Sequence, residues 1–214
     1  MNSPAGSFFD ILRRHAASCP DAVASRSSRR VVSYRKFCSR IERATARLIS
    51  EWHVERGDIV VYWGSGHQDA LMLYIAVARC GARLLPMEHA SAQRDAHALL
   101  AMYPPKALLH DDDVAFQPDD LVPRIVNLSS LIDTRCHHHP RVVEDDEQAS
   151  LITLAYGDGH AAPGEESSLR QLCSLHAPVT SPPVFRAQRV LFDPEVLGSD
   201  VLPVLRRGGT IVFP

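Results

Sequence analysis

The stretch RGDIVVYWGSGHQDALMLYIAVARCGARLLPME, residues 56–88, constrains the fold more tightly than any other part of the chain. Asp58 to Trp63 is an unbroken β-branched and aromatic run, which suits a strand buried on both faces. Gly64-Ser65-Gly66 interrupts it. His67 to Cys80 is apolar on almost every side, through Ala70, Leu71, Leu73, Tyr74, Ile75, Ala76, Val77 and Ala78, so a helix here is covered on more than one face. Gly81 closes that helix, and Ala82 to Leu85 starts another strand. A helix joining two such strands is a crossover, and crossovers pair strands in parallel. The chain is therefore expected to be α/β, a mostly parallel layered sheet with helices on both faces.

The rest of the chain alternates in the same way. Ser7 with Asp10 three residues on marks a helix start, Phe8 to Ser18 supplies the helix, and Pro20 follows its end. Ala22 to Ser25 and Val31 to Ser33 are expected to form a small hairpin. From Tyr34, apolar residues at 34, 37, 41, 44, 48 and 52 step by three or four between charged ones, an amphipathic helix. Further helices are expected at Ala92 to Met102, Glu165 to Leu175 and Val196 to Arg206. Further strands are expected at Ala107 to His110, Arg124 to Leu128, Ser150 to Ala155, Arg189 to Phe192 and Thr210 to Phe213. Residues 136–149 are polar and read as a surface loop between an N-terminal α/β subdomain, 1–135, and the start of a second α/β segment, 150–214.

Composition excludes several partners. Lys and Arg number 23 against 25 Asp and Glu, a net charge of -2, so no basic excess points to nucleic acid or an anionic membrane. The N-terminus lacks the basic start and apolar core of a secretory signal, and no apolar run nears about 20 residues, so a cytoplasmic location is expected. The cysteines, Cys19, Cys38, Cys80, Cys136 and Cys173, are odd in number and widely spaced, and are expected to be reduced thiols.

Three blocks together resemble the adenylate-forming superfamily, which includes acyl-CoA synthetases, aryl-acid ligases and the adenylation domains of nonribosomal peptide synthetases. FFDILRRHAASCPDAVAS followed by VVSYRKFCSRIERATARL is similar to the family's opening. GDIVVYWGSGHQDALMLYIAVARCGARLLPMEHASAQRD resembles its next block, and RVLFDPEVLGSDVLPVLRRGGTIVFP a later one. The resemblance implies the fold of that family's N-terminal lobe. It also implies a chemistry in which a carboxylate attacks the α-phosphate of ATP, with Mg²⁺ bound, and a thiol then takes the acyl group.

The same resemblance places a phosphate loop after the strand at Ser150 to Ala155, where this chain reads AYGDGHAAPGEESS. Aligning Pro163 with the family proline puts Gly164 at the lysine position, and Gly157, Asp158, Gly159 and His160 replace the hydroxyl run. Polyphosphate sites present backbone N–H groups, hydroxyls and a cation, whereas Asp158, Glu165 and Glu166 are acidic. The loop is expected to be vestigial. The resemblance also runs out at Pro214, ahead of the family's adenine-binding segment, Mg²⁺-binding Glu, ribose-binding Asp and catalytic Lys, so this chain alone is not expected to complete adenylation, and no catalytic residue is assigned. ATP and Mg²⁺ belong to the family pattern, but no cofactor is expected here. Asp193, in FDPE, matches the position that pairs with the substrate amino group in amino-acid-activating members; read from the residues alone it is a helix-start Asp.

Other constellations read more plainly. Gly64-Ser65-Gly66 begins like a dinucleotide fingerprint, but Asp69 holds the third glycine position, and a tight strand-to-helix turn is expected. Cys136-His137-His138-His139 lacks the spacing of a zinc site, so no metal is expected. Asp111-Asp112-Asp113 and Glu144-Asp145-Asp146-Glu147 read as exposed loop ends.

Two functions follow. One is a non-catalytic adenylation-like protein that serves as a binding or scaffold partner, self-associating or joining a synthetase or carrier system, with a carboxylic or amino acid as a possible ligand. The other is the N-terminal half of a split AMP-forming ligase completed by another chain.

Overall fold

Local sequence sets the first helix. Ser7 and Asp10 form a reciprocal capping box, with the Asp10 N–H donating to Ser7 Oγ at 3.1 Å and the Ser7 N–H to Asp10 Oδ2 at 3.2 Å. It opens α1 (Phe8–Ser18) in the computed structural model, which describes residues 6–88, 90–111, 122–134, 136, 140, 142, 145–174, 184–187 and 190–214. The hairpin β1 (Val23–Arg26) and β2 (Val31–Ser33) follows, then α2 (Tyr34–Ser50), whose apolar stripe is buried against α1 and α3.

The strand, helix, strand unit is β3 (Ile59–Trp63), α3 (Gln68–Arg79) and β4 (Arg83–Met87). Every β3 residue is buried, because its two faces serve different cores: Val60 and Tyr62 join the main one, Ile59, Val61 and Trp63 a second cluster with Leu85, Leu99 and Leu100. Every residue of α3 is buried as well. Two short helices, α4 (Ala90–Arg94) and α5 (Ala96–Met102), occupy the span expected as one helix and break at Asp95, whose carboxylate is held by a later strand. Then come β5 (Ala107–His110), β6 (Ile125–Asn127) and α6 (Leu128–Asp133), a helix with no sequence expectation, capped by Asn127 Oδ1 on the Ser129 N–H at 2.8 Å.

The second half supplies β7 (Ala149–Gly157), β8 (His160–Ser168), α7 (Leu169–Ser174), β9 (Val184–Arg186), a π-helical segment at Val196–Val201, α8 (Leu202–Arg206) and β10 (Thr210–Val212). Two expectations are corrected. Glu165 to Ser168 are strand, not helix, because they pair with β7; Leu191 and Phe192 lie in a turn, and β9 is the strand that joins the sheet beside β10. Arg189 lies outside the described residues.

The strands form a six-stranded sheet, β6-β5-β3-β4-β7-β8, parallel except for β8, and a four-stranded sheet, β2-β1-β10-β9, parallel except for β2. The expected mostly parallel α/β architecture is present. Both sheets take strands from either side of residues 136–149, and the main core is continuous from Phe8 to Phe213. Among the described residues no helix is long and apolar enough to cross a membrane.

Candidate functional site

The residues aligned with a phosphate loop are a β-hairpin. Gly157 pairs with His160, so the loop expected from Gly157 to Gly164 shrinks to Asp158 and Gly159, with φ of 50° and 81°. Two positive-φ residues with Asp-Gly sequence make the tight turn whose twist matches antiparallel strands. The tip is fastened to the α4–α5 break: Arg94 Nη1 donates to the Gly159 carbonyl at 3.1 Å, and Asp95 accepts the Ala161 N–H at 2.7 Å and faces His160 Nδ1 at 3.2 Å. The Ala161 N–H, then His160, hold the Asp95 carboxyl below its ordinary range. Gly164 sits at an irregularity in the ladder, where a Cβ would meet Thr153 Oγ1 at 2.8 Å. Glu166 is spent on Arg83, 2.7 Å away. With no lysine, an acidic tip and strand pairing in place of an open loop, these residues do not fit a polyphosphate.

Asp193 is exposed and caps a helical turn: its Oδ1 accepts the Glu195 N–H at 2.9 Å and the Val196 N–H at 3.3 Å. The π-helical segment starts just beyond.

Sequence reasoning missed a buried polar cluster at the carboxyl ends of β3, β4 and β5. Asp111, read from its acidic run as an exposed loop end, is buried. It accepts from Tyr62 Oη at 2.9 Å, the Ser65 N–H at 2.9 Å and His67 Nε2 at 2.8 Å. His67 Nδ1 accepts the Asp69 N–H at 3.1 Å, capping α3, so the ring proton sits on Nε2 and points to Asp111. Glu88 follows β4, and the Phe192 N–H donates to its Oε2 at 3.0 Å. The Phe192 ring meets Tyr62 and Tyr74 edge-on, with centroids 5.8 and 6.0 Å apart. The signal was positional: Gly64 to Gly66 and Asp111 end adjacent parallel strands whose connections leave in opposite directions, where α/β sheets open a crevice.

The charges are strongly coupled. Burial pushes the Glu88 carboxyl up to about 7; the Phe192 and Leu191 amides and His67 oppose this, while Asp111 reinforces it. Burial raises Asp111 too, but the His67 hydrogen bond and charge, the Ser65 N–H and the Tyr62 hydroxyl outweigh it and leave the carboxyl below its usual value. Burial lowers His67, and the Asp111 hydrogen bond and charge outweigh it in the other direction. Burial, then Asp111, hold Tyr62 protonated. Ser65 Oγ bonds Asp111 at 3.5 Å and His67 has both nitrogens engaged, so no nucleophile and base face each other. The cluster organises structure.

A cavity of about 370 Å³ lined by Cys173, Pro203, Arg206 and Arg207 shares no residue with these groups. Burial pushes the Cys173 thiol up to about 11, which leaves it a poor nucleophile. Among the described residues no three His, Cys, Asp or Glu side chains gather as a metal site. His137 to His139, Asp112, Asp113 and Glu144 lie outside the described residues.

A family model described as AMP-binding enzyme matches residues 12–191. The chain belongs to that family. Within the AMP-binding enzymes it is 32% identical over 85 residues to a nonribosomal peptide synthetase, tcpP, of Claviceps purpurea, a stretch that is 40% of this chain and 4% of that protein. Its fold is similar to the Klebsiella oxytoca NpsA N-terminal subdomain solved with 3-hydroxybenzoyl-AMSN, at TM-score 0.75 and 19% identity over 96% of this chain and 53% of that one. It is also similar to the N-terminal domain of FACL13 from Mycobacterium tuberculosis, at TM-score 0.80 and 14% identity over 98% of this chain and 57% of that one. The chain therefore spans about half the length of these solved relatives and a small part of the curated one.

Proposed function

We propose that this AMP-binding family chain works as a scaffold or binding partner and does not adenylate a substrate by itself. One observation carries the reading: the segment aligned with the phosphate loop is a closed hairpin with Asp158 at its tip and no lysine. Adenylation depends on stabilising charge at the polyphosphate, and a hairpin whose amides pair with a neighbouring strand gives that charge no partner. The partner is a second copy of the chain or a component of a synthetase or carrier system, in the cytoplasm. Exposed Val31, on the outer strand β2, and Val184, on the outer strand β9, offer apolar contact area at both edges of the four-stranded sheet. A carboxylic or amino acid is the small ligand the family would suggest.

Affinity purification from the native cell, followed by pyrophosphate exchange into ATP on the isolated complex and on the chain alone, tests this. Capture of a stable complex, with exchange absent from both preparations, is expected. Exchange by the chain alone overturns the reading. Exchange by the complex only, dependent on one carboxylic or amino acid, replaces it with the split-ligase reading. A stable monomer with no partner at micromolar concentration also counts against a scaffold.

A further inference from the structure

Glu88 joins two parts of the molecule that lie 104 residues apart in sequence, the end of β4 in the six-stranded sheet and the turn at Leu191–Phe192 that follows β9 of the other sheet. Its Oε2 accepts the Phe192 N–H at 3.0 Å, while Oε1 is buried and has no hydrogen-bond partner among the described residues. Oε1 lies over Gly66, where a Cβ would come within 1.8 Å of it, so the carboxyl occupies space that only a glycine leaves open.

We propose that Glu88 is a proton-operated latch that holds the Leu191–Phe192 turn on the six-stranded sheet when neutral and weakens that hold when ionised. Among the described residues, the titratable groups that face it are Asp111 from the end of β5, His67 from the cap of α3, Tyr62 from β3 and Tyr156 from β7. Asp111 is negative, both tyrosines stay protonated, and the His67 Nε2–H is turned toward Asp111. Ionised Glu88 therefore adds a second negative charge to a buried cluster, with one oxygen lacking a donor. Release of the turn hydrates that oxygen. The side chain of Phe192 leaves its place between Tyr62 and Tyr74 in the same motion, and Asp193 with its helical cap moves with it.

The burial that raises Glu88 to about 7, against an ordinary 4.5 when released, sets the size: the latched population relative to the released one falls about tenfold between pH 6 and 8. Amide hydrogen exchange at Leu191 and Phe192 in the full chain reads it directly, after division by the intrinsic rate at each pH. Wild type is expected to lose about tenfold in protection from pH 6 to 8. Glu88→Gln keeps an acceptor for the Phe192 N–H without the charge, and its protection stays constant within about twofold. Equal protection of wild type at both pH values, or the same loss in Glu88→Gln, overturns the latch. A carboxyl carbon NMR titration of the wild-type protein is independent of any variant's folding. A Glu88 midpoint near pH 7 supports the latch, and one near 4.5 overturns it.

Discussion

The Tyr62 hydroxyl donates to the Asp111 carboxylate at 2.9 Å, across the seam where the connection after β3 departs toward β4 and the one after β5 departs toward β6. Open α/β sheets commonly receive a ligand at such a seam. Here the Ser65 N–H and His67, the donors an incoming anion would seek, already point to a carboxylate of the chain itself.

Asp111→Ala removes four hydrogen bonds and leaves a buried tyrosine hydroxyl and a backbone N–H without their acceptor. The expected loss is about 2–4 kcal/mol, read as a lowered urea midpoint with little change in slope. A midpoint equal to wild type contradicts the reading of Asp111 as the organiser of the seam.

Gly66→Ala places a methyl against Glu88 Oε1, 1.8 Å away, on a backbone with φ of 59°. The variant is expected to lose about 1–3 kcal/mol from strain and collision together. Adding Glu88→Ala relieves the collision and leaves the backbone strain, so the double variant should lose less than the sum of the two single losses. Strict additivity in chemical denaturation contradicts the contact.

Stability is expected to fall as pH rises from about 5 to 8. Glu88 ordinarily titrates at 4.5 and in the folded chain near 7, so between these values the native state holds the extra proton and each pH step favours unfolding. His67 acts in the same direction: its folded value is raised above 6.5, so its contribution is present below 6.5 and is lost as pH rises through that raised value. Asp111, held below its ordinary 3.8, gives stability above that value that is lost on further acidification. Thermal midpoints should therefore be higher at pH 5.5 than at pH 8, with a smaller difference in Glu88→Gln. A midpoint that rises across this range contradicts the assignment.

Tyr34→Phe is expected to cost about 1–2 kcal/mol. The Tyr34 hydroxyl is fully buried and donates toward the carbonyls of Gly209 at 2.8 Å and Leu205 at 3.2 Å, so its loss strands acceptors at the end of α8. Equilibrium denaturation of the single variant measures it, and no change means water reaches those carbonyls.

Periodicity made the frame legible wherever one segment decides its own state. Phe8–Ser18 announced itself by its cap, Ala107–His110 by its apolar run and Tyr34–Ser50 by its stripe. It failed where a distant segment decides. Glu165 to Ser168 carry helix-compatible residues, yet the β7 edge was free to pair with them, and pairing prevailed over propensity. Asp95 broke a continuous helical pattern because its carboxylate serves the backbone of Ala161, 66 residues away. The site was less legible still. Asp111 stood first in a run of three aspartates, and only its place after β5, next to the Gly64–Gly66 turn, separates it from its neighbours. Glu88 carried no local pattern, since its partner is a backbone amide far along the chain.

The four-stranded sheet places its last strand inside. β10 lies between β1 and β9, with Ser25 opposite Ile211, so the hairpin made first gains its parallel neighbour only once residues 210–212, some 180 positions later, have been synthesised. Until then β1 offers a bare edge during synthesis. A nascent chain stalled before residue 210 exposes that edge to chaperones or to sister chains on the same message, and aggregation during expression is expected to start there.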